Sequence, residues 1–478
     1  MIEVLTPAEM RAADAQAVAA SSVEALMRNA GGAIAAYVRE HVPRGSRIVA
    51  FAGPGNNGGD ARAAFAQLAG YDCVLYGPDR LPHDDDAART LLDGAALAID
   101  ALFGTGARLP LPAPYGPAIR ALDARERRVL AIDIPSGVDA LTGAVPGDAV
   151  RASATLTLAA MKPGLLVLPA REHCGELWIA EIGIEDATLR AHAASFAALD
   201  DAAFLALLPH RAPDADKRSA GAPLIVAGSQ QFPGAAVLCA RAAARAGAGY
   251  VTVATSPDAA ATLRMHLIEQ VVVEIGDDLN DIAGRNSAVG IGPGLGLDTR
   301  TGEIVRSFVA NCELPMVIDA SALFHFSKHL DLLRGKRCVL TPHEGEFARL
   351  SGLGTVAPGT RVERLREFTS RTGITTLLKG YATLIDDGTR MHINATGTSV
   401  LATAGTGDVL TGIIATLLAQ GLAPMDAACA GAYWHGLAAQ YCARERPVGV
   451  IAGDLPDALA ATLRSLTPRA GALRRVYA

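Results

Sequence analysis

Short apolar runs recur along almost the whole chain, each closing on a loop rich in glycine or aspartate and each followed by residues of helical character. RIVAFAG (47–53), DCVLYG (72–77), LAIDALFG (97–104) and RVLAIDIPSG (128–137) set the theme, and TLTLAAMKPG (155–164) and ELWIAEIG (176–183) continue it. An uninterrupted apolar strand has no polar side to give to water. Both faces must be covered, which implies a parallel sheet with helices crossing over it. Ahead of the first run, a helical pattern starts at Thr6, with Pro7 in the first turn, and continues through MRNAGGAIAAYVREH. The Gly-rich turn after the first run leads into a helix expected to start near Asp60. The rhythm breaks over 195–219, where a short helical segment gives way to the polar, proline-containing PHRAPDADKRS. A second series then runs through PLIVAGS, YVTVAT, VVVEIG, AVGIGPGLG, MVIDAS, CVLTPHEGE, TTLLKG and ATLIDDG, with long helices predicted at 234–247, 406–421 and 427–442. A chain of 478 residues is too long for one ordinary domain. We therefore expect two α/β domains, 1–205 and 206–478, which are not copies of each other.

Composition excludes several classes of function. The chain is 50% hydrophobic and 19% charged, which suits a large core and argues against disorder. Aromatics are only 5%, so burial must come mostly from Ala, Val, Leu and Ile. The net charge is −6 and no basic tract is visible, so neither nucleic acid nor an anionic membrane is expected as a partner. The seven cysteines never approach CxxC spacing and read as small buried residues in a reducing compartment. The N-terminus lacks the layout of a signal peptide, and no apolar run is long enough to span a bilayer. A cytoplasmic protein is expected. With only five lysines (Lys162, Lys217, Lys328, Lys336 and Lys379), each is worth inspecting.

In the first half, AGPGNNGGD (52–60) lies between a strand and a helix, with Gly53, Gly55 and Gly58 at dinucleotide-loop spacing. Backbone amides there, with the helix start, can cradle an anion or polar ligand. A tight turn packed on the sheet is the plainer and lesser alternative, since Asn56, Asn57 and Asp60 supply more hydrogen-bonding capacity than such a turn needs. DALFGTG (100–106) and DIPSGVD (133–139) follow strand C-terminal ends, where open parallel sheets hold their ligands. Asn57, Asp100 and Ser136 together offer oxygen ligands with a single carboxylate, which suits a weakly charged cation such as potassium. Taken alone, Asp100 reads equally as a helix cap or turn former. Lys162 with Asp133 makes a candidate proton-transfer pair, and a surface lysine before a turn is the alternative.

In the second half, TAGTGDVLTG (403–412) opens a long helix with Asp408 in its first turn. Free amides at a helix start can hold charge developing on a transferred phosphoryl group. Asp408 can take the proton of an attacking hydroxyl, although an acid in a first turn is also ordinary helix chemistry. Three loops accompany it: LLKGYATLI with Lys379 and Gly380, GIGPGLG (290–296), and TPHEGE with His343 and Glu344. There is no GxxxxGK[ST], so this is not a P-loop enzyme. His325 and His329 have metal spacing on a helix but no third ligand, and read as packing and surface.

These motifs resemble known families. GPGNNGGD, DALFGTG and DIPSGVDALTG, in this order over about residues 1–200, are similar to the NAD(P)H-hydrate epimerase domain, a Rossmann-like fold. The resemblance implies epimerisation of the R and S hydrates of reduced nicotinamide. It places the hydrate on Asn56, Asn57, Gly58, Gly59 and Asp60, on Gly104, Thr105, Gly106, Ala107, Arg108, Leu109 and Pro110, and on Asp133. It places potassium on Asn57, Asp100 and Ser136. Ala61 departs from the usual glycine. From Lys217 onward, GSQQFPGAAVL, GPGLG, TPHEGE, KGYAT, AGTGDVLTG and GVIAGDLPDAL resemble the ribokinase-like ADP-dependent NAD(P)H-hydrate dehydratase domain. Carried over, the hydrate meets Ala235, Gly294, His343 and Asp408. The adenine nucleotide, with magnesium, meets Lys379, Gly380, Tyr381, Ala382, Thr383 and Gly407. Ser321 and Phe324 stand where the family pattern has an acid and an amide, so a ligand-orienting role is not carried over to those two positions. ADP as donor rests on the resemblance alone, as does an expected homo-oligomer.

The two halves make chemical sense together. A hydrated nicotinamide carries a hydroxyl that leaves poorly, and phosphorylation converts it into a good leaving group, so a kinase-like fold suits a dehydration. A chiral pocket takes one epimer of NADHX or NADPHX, and an epimerase supplies it from the other. A small-molecule kinase fused to a non-catalytic binding module is the alternative.

Overall fold

The computed structural model describes residues 1–276, 279–357, 359–446, 448–464, 466 and 473–477. It divides into a unit formed by Ile2–Ala197 with Arg469–Ala478, and a unit formed by Ala198–Pro468 with Met1.

In the first unit the expected opening helix is two helices, Pro7–Ala20 and Val23–His41. The break falls at Ser22, whose hydroxyl accepts from Ala25 N at 3.1 Å and starts the second helix afresh. The sheet runs in the order Glu176–Ala180, Ala154–Leu158, Val129–Ile132, Leu97–Ala101, Arg47–Ala52, Asp72–Tyr76, all parallel. Leu473–Tyr477 adds an antiparallel strand beside Glu176–Ala180. Strands Arg47–Ala52 and Leu97–Ala101 are adjacent, yet the chain leaves them in opposite directions across the sheet. That reversal opens a crevice above their C-terminal ends. One face packs Ile48, Ala50, Ile99, Leu130 and Leu156 with Ile34 and Val38 of helix Val23–His41. The other packs Val49, Phe51, Ala98 and Val129 against Leu92, Ile119 and Leu122.

In the second unit the strands run Met391–Asn394, Thr383–Asp386, Thr375–Leu378, Cys338–Leu340, Met316–Ile318, Ala288–Ile291, Pro223–Val226, Thr252–Thr255, Val271–Glu274. From Thr375–Leu378 onward to Val271–Glu274 the pairs are parallel. At this end of the sheet Thr375–Leu378, Thr383–Asp386 and Met391–Asn394 pair antiparallel. The connections between them are too short for a crossover helix, so only hairpins are open to them. The direction of travel reverses between Pro223–Val226 and Ala288–Ile291, which sets a second crevice.

Helix Thr406–Ala419 crosses this sheet and is buried along almost its whole length. Its sequence, VLTGIIATLLA, is apolar all round, as a helix enclosed on every side must be. A Cβ on Gly412 would lie 2.1 Å from the Cys239 carbonyl of helix Pro233–Arg245, so only glycine permits that approach. All seven cysteines are free and all but Cys73 are buried. Among the described residues no helix is long and apolar enough to cross a membrane.

Candidate active sites

The first crevice is built where the glycine turn meets the sheet. The helix begins at Asn56 rather than near Asp60, because Gly55 already holds the extended N-cap conformation. Asn57 to Asp60 therefore occupy its first turns. The turn is pressed hard onto the strand ends: Gly53 N donates to Ala101 O at 2.9 Å, and a Cβ on Gly58 would lie 2.2 Å from the Gly53 carbonyl. Asn57 is buried and its Nδ2 donates to Ile132 O at 3.0 Å. That ties the turn to the strand that ends in Asp133.

Asp133 is a non-glycine residue at φ 68°, in the left-handed region. Such a backbone costs on the order of 1 kcal/mol and persists only when its surroundings fix it. Here Asp133 N donates to Leu156 O at 2.9 Å, and its Oδ1 accepts from Lys162 Nζ at 2.5 Å. Lys162 is 1% exposed, so the surface alternative is excluded. Its ammonium also donates to Thr157 Oγ1 at 3.0 Å and Leu158 O at 2.8 Å, using all three protons. A Cβ on Gly104 would lie 3.3 Å from Asp133 Oδ2 and 3.6 Å from Asn57 Oδ1, so the DALFGTG loop covers both side chains. Beyond Gly104 the loop moves outward, and Gly106, Arg108 and Pro110 are exposed.

Asp100 is fully buried at the end of its strand. Its Oδ1 accepts from Ser136 Oγ at 2.7 Å and Leu102 N at 3.2 Å, and its Oδ2 accepts from Ser136 N at 2.7 Å. Asp100 thus ties the DALFGTG loop to the DIPSG loop. Burial still pushes its carboxyl up to about 6, against those hydrogen bonds. The described residues bond no cationic side chain to this buried carboxylate, whose partners are the Ser136 hydroxyl and two backbone amides.

Asp60 has a chemistry that its place in the motif did not reveal. It is buried, and no hydrogen bond to its carboxyl is found among the described residues. Burial, then the charges of Asp133 and Asp14, push it up to about 7. Asp14, from helix Pro7–Ala20, is also raised, chiefly by burial. One motif could have flagged it only if the opening helix had been placed over the crevice.

In the second crevice Gly405 adopts φ 93° ahead of helix Thr406–Ala419, and Asp408 stands in the first turn. Burial, followed by the charge of Asp319, pushes Asp408 up to about 7, while Lys379 pulls it down. Asp319 is 1% exposed and ends the MVID strand. Its Oδ1 accepts from Lys379 Nζ at 2.9 Å and its Oδ2 from Thr411 Oγ1 at 2.8 Å. A Cβ on Gly407 would lie 3.4 Å from Lys379 Nζ. Lys379 has a raised pKa: burial opposes its charge, but Asp319 and Glu346 outweigh that. Lys379 N donates to Pro342 O at 2.8 Å, which sets the KGYAT turn beside TPHEGE.

His343 caps helix Glu344–Ser351. Its Nδ1 accepts from Gly345 N at 3.0 Å and Glu346 N at 3.3 Å, and its side chain is 61% exposed. Its Nε2 lies 3.6 Å from Glu346 Oε2. Gly294, at φ 66°, approaches helix Pro233–Arg245, and a Cβ on it would lie 2.8 Å from Ala235 Cβ. Gly294 thus meets Ala235 at the start of helix Pro233–Arg245, and Lys379 of the KGYAT turn meets Gly407 at the head of helix Thr406–Ala419. Tyr381 is 64% exposed within the KGYAT turn.

Ser321, a departure from the family pattern, donates to Leu295 O at 2.6 Å and so steadies the GPGLG loop. Phe324 is exposed with the Arg349 guanidinium over its ring. Ala61 is buried in its helix. His325 is buried with Nε2 against Gly296 O, and His329 is exposed, as packing and surface require. Among the described residues no group of three or more His, Cys, Asp or Glu side chains is placed to hold a metal ion.

Three comparisons with known proteins match this arrangement. Residues 223–461 match the family model described as NAD(P)H-hydrate dehydratase, and 23–92 and 75–164 match the one described as YjeF-related protein N-terminus. The bifunctional NAD(P)H-hydrate repair enzyme Nnr of Salinibacter ruber is 36% identical over 516 residues, covering 95% of each chain. The chain belongs to the bifunctional NAD(P)H-hydrate repair enzyme family. The Nnr enzyme of Mycobacterium tuberculosis is similar at 38% identity, covering 88% of this chain and 89% of that one. Among solved structures, the ADP/ATP-dependent NAD(P)H-hydrate dehydratase of Bacillus subtilis, co-crystallised with ATP and Mg2+, has TM-score 0.51 and 28% identity. It covers 57% of this chain and 99% of its own. The repair-enzyme family joins an epimerase domain to a dehydratase domain. Here the YjeF-related N-terminus is the first and the ribokinase-like unit the second.

Proposed function

We propose that the first unit interconverts the R and S hydrates of NADH and NADPH, and that the second uses ADP to dehydrate the S hydrate, releasing AMP and phosphate. The observation that carries the reading is Asp408. It is a half-buried carboxyl, pushed up to about 7, at the head of a helix whose free amides face the same crevice.

In the second unit the hydrate lies over Ala235, Gly294 and His343, and the nucleotide over Lys379–Thr383 and Gly407. Asp408 takes the proton of the hydrate hydroxyl as its oxygen attacks the terminal phosphorus of ADP. The oxygen–phosphorus bond forms as the bond to AMP breaks. The phosphate then leaves with the carbon–oxygen electron pair, and loss of a ring proton restores the double bond. Asp319, Glu346 and Asp408 outnumber Lys379 around the place meant for a polyphosphate. That balance fits a nucleotide that arrives with magnesium, which neutralises the phosphate charge.

In the first unit Asp133, held by Lys162, and the unpartnered Asp60 are the groups able to exchange a proton with the hydrate. Asn57, Asp100 and Ser136 would hold potassium, whose charge compensates the buried Asp100 carboxylate.

Incubation of a mixed-epimer hydrate with ADP and magnesium tests both halves. Full recovery of reduced-nicotinamide absorbance shows both activities, and recovery limited to the S share shows only the second. A stable phosphorylated product without recovered absorbance overturns the dehydratase reading in favour of a kinase.

A further inference from the structure

Behind the KGYAT turn lies a residue that none of the motifs contains. Arg361 is the first residue of helix Arg361–Thr372, and it is 6% exposed. Its guanidinium points into the back of the turn. Nη1 donates to Ala382 O at 2.9 Å, and Nη2 donates to Lys379 O at 3.2 Å and Leu378 O at 3.4 Å. On its other side Nε meets Glu344 Oε1 at 3.0 Å. Glu344 directly follows His343 at the start of helix Glu344–Ser351. One planar cation therefore gathers the carbonyls of the turn and fastens them to the helix start that carries His343.

The consequence for the turn follows from peptide geometry. A trans peptide points its C=O and N–H in opposite directions. Drawing the Lys379 carbonyl back onto the guanidinium turns the Gly380 N–H away from it. No partner for that N–H is found among the described residues. A Cβ on Gly380 would lie 2.2 Å from Nη2 and would displace the guanidinium from the turn. A lysine in place of Arg361 would offer a point charge without the fork that reaches three carbonyls and a carboxylate at once.

We propose that Arg361 is a positioning residue of the dehydratase, which presents the Gly380 amide to the nucleotide phosphates and, through Glu344, locks the nucleotide turn to the His343 helix start. The proposal rests on the reading that Lys379–Thr383 holds the nucleotide. The full chain carrying R361K, and separately G380A, tests it by steady-state kinetics with ADP varied, by calorimetric titration with AMP, and by hydrogen exchange of residues 379–383 with and without AMP. In both variants KM for ADP is expected to rise about tenfold, the scale of one charge-assisted hydrogen bond, with AMP affinity falling in step and kcat changing less. The epimerase rate, read in the same samples, stays at the parent value. A fall in kcat at unchanged KM and AMP affinity in both variants overturns the proposal. If AMP binds the parent chain without protecting 379–383, the nucleotide reading itself fails, which is a separate result.

Discussion

At the scale of single residues, burial sets the chemistry more than sequence neighbours do. Asp60 and Asp408 both stand near neutrality because water is withheld from them. For Asp408 to act as a base it must be ionised, so kcat/KM for dehydration should rise with pH and level off above an acid limb near 7. A pH–rate profile checks this, and D408N should lower the dehydration rate by about a hundredfold or more while epimerisation continues. Asp60 carries a stability consequence of definite sign. Its folded pKa lies above its ordinary 3.8, so between the two the folded chain holds a proton the unfolded chain has shed. Its contribution thus turns unfavourable as pH rises through that window. D60N should therefore raise stability by on the order of 1 to 3 kcal/mol at pH 8, with the gain vanishing below about pH 4, as thermal melts at the two pH values will show. The same change should slow epimerisation.

At the scale of elements, the close approach of helix Thr406–Ala419 to helix Pro233–Arg245 depends on Gly412. G412A should cost about 2 to 4 kcal/mol, seen as a lowered melting temperature of the second unit, because neither backbone can retreat. The strand rhythm was readable in the sequence because buried parallel strands must be apolar throughout. Asp100, Asp133 and Asp408 were readable because each ends a strand or starts a helix within a glycine-rich motif. Asp319 closes MVID just as Asp100 closes LAID, so that strand-end pattern offered a signal that went unused. Arg361 offered none. Its role comes from carbonyls 17 to 21 residues away and a carboxylate on another helix, and no local pattern encodes such partners. The hairpin direction of Thr383–Asp386 was hidden for a related reason. Apolar runs of equal length look alike whether the next strand returns or crosses over, and the short turns alone distinguished them.

At the scale of the whole molecule, each unit carries its own crevice and its own acids, so perturbations should separate cleanly. Replacing potassium with sodium should slow consumption of the R hydrate and leave ADP-driven loss of the S hydrate unchanged; equal R-hydrate rates in the two salts would count against a cation on Asn57, Asp100 and Ser136. D133A should likewise stop R-hydrate consumption and leave S-hydrate dehydration at the parent rate, which stereochemically resolved substrate can show. The enclosed helix Thr406–Ala419 has one last implication. Because it is buried along nearly its entire length, it cannot tilt or slide to follow a ligand, and Asp408 rides at a fixed height above the sheet. Any shift in which alcohols this chain can dehydrate must then come from rewriting the surrounding loops, leaving the proton acceptor as the stationary reference against which new substrates are fitted.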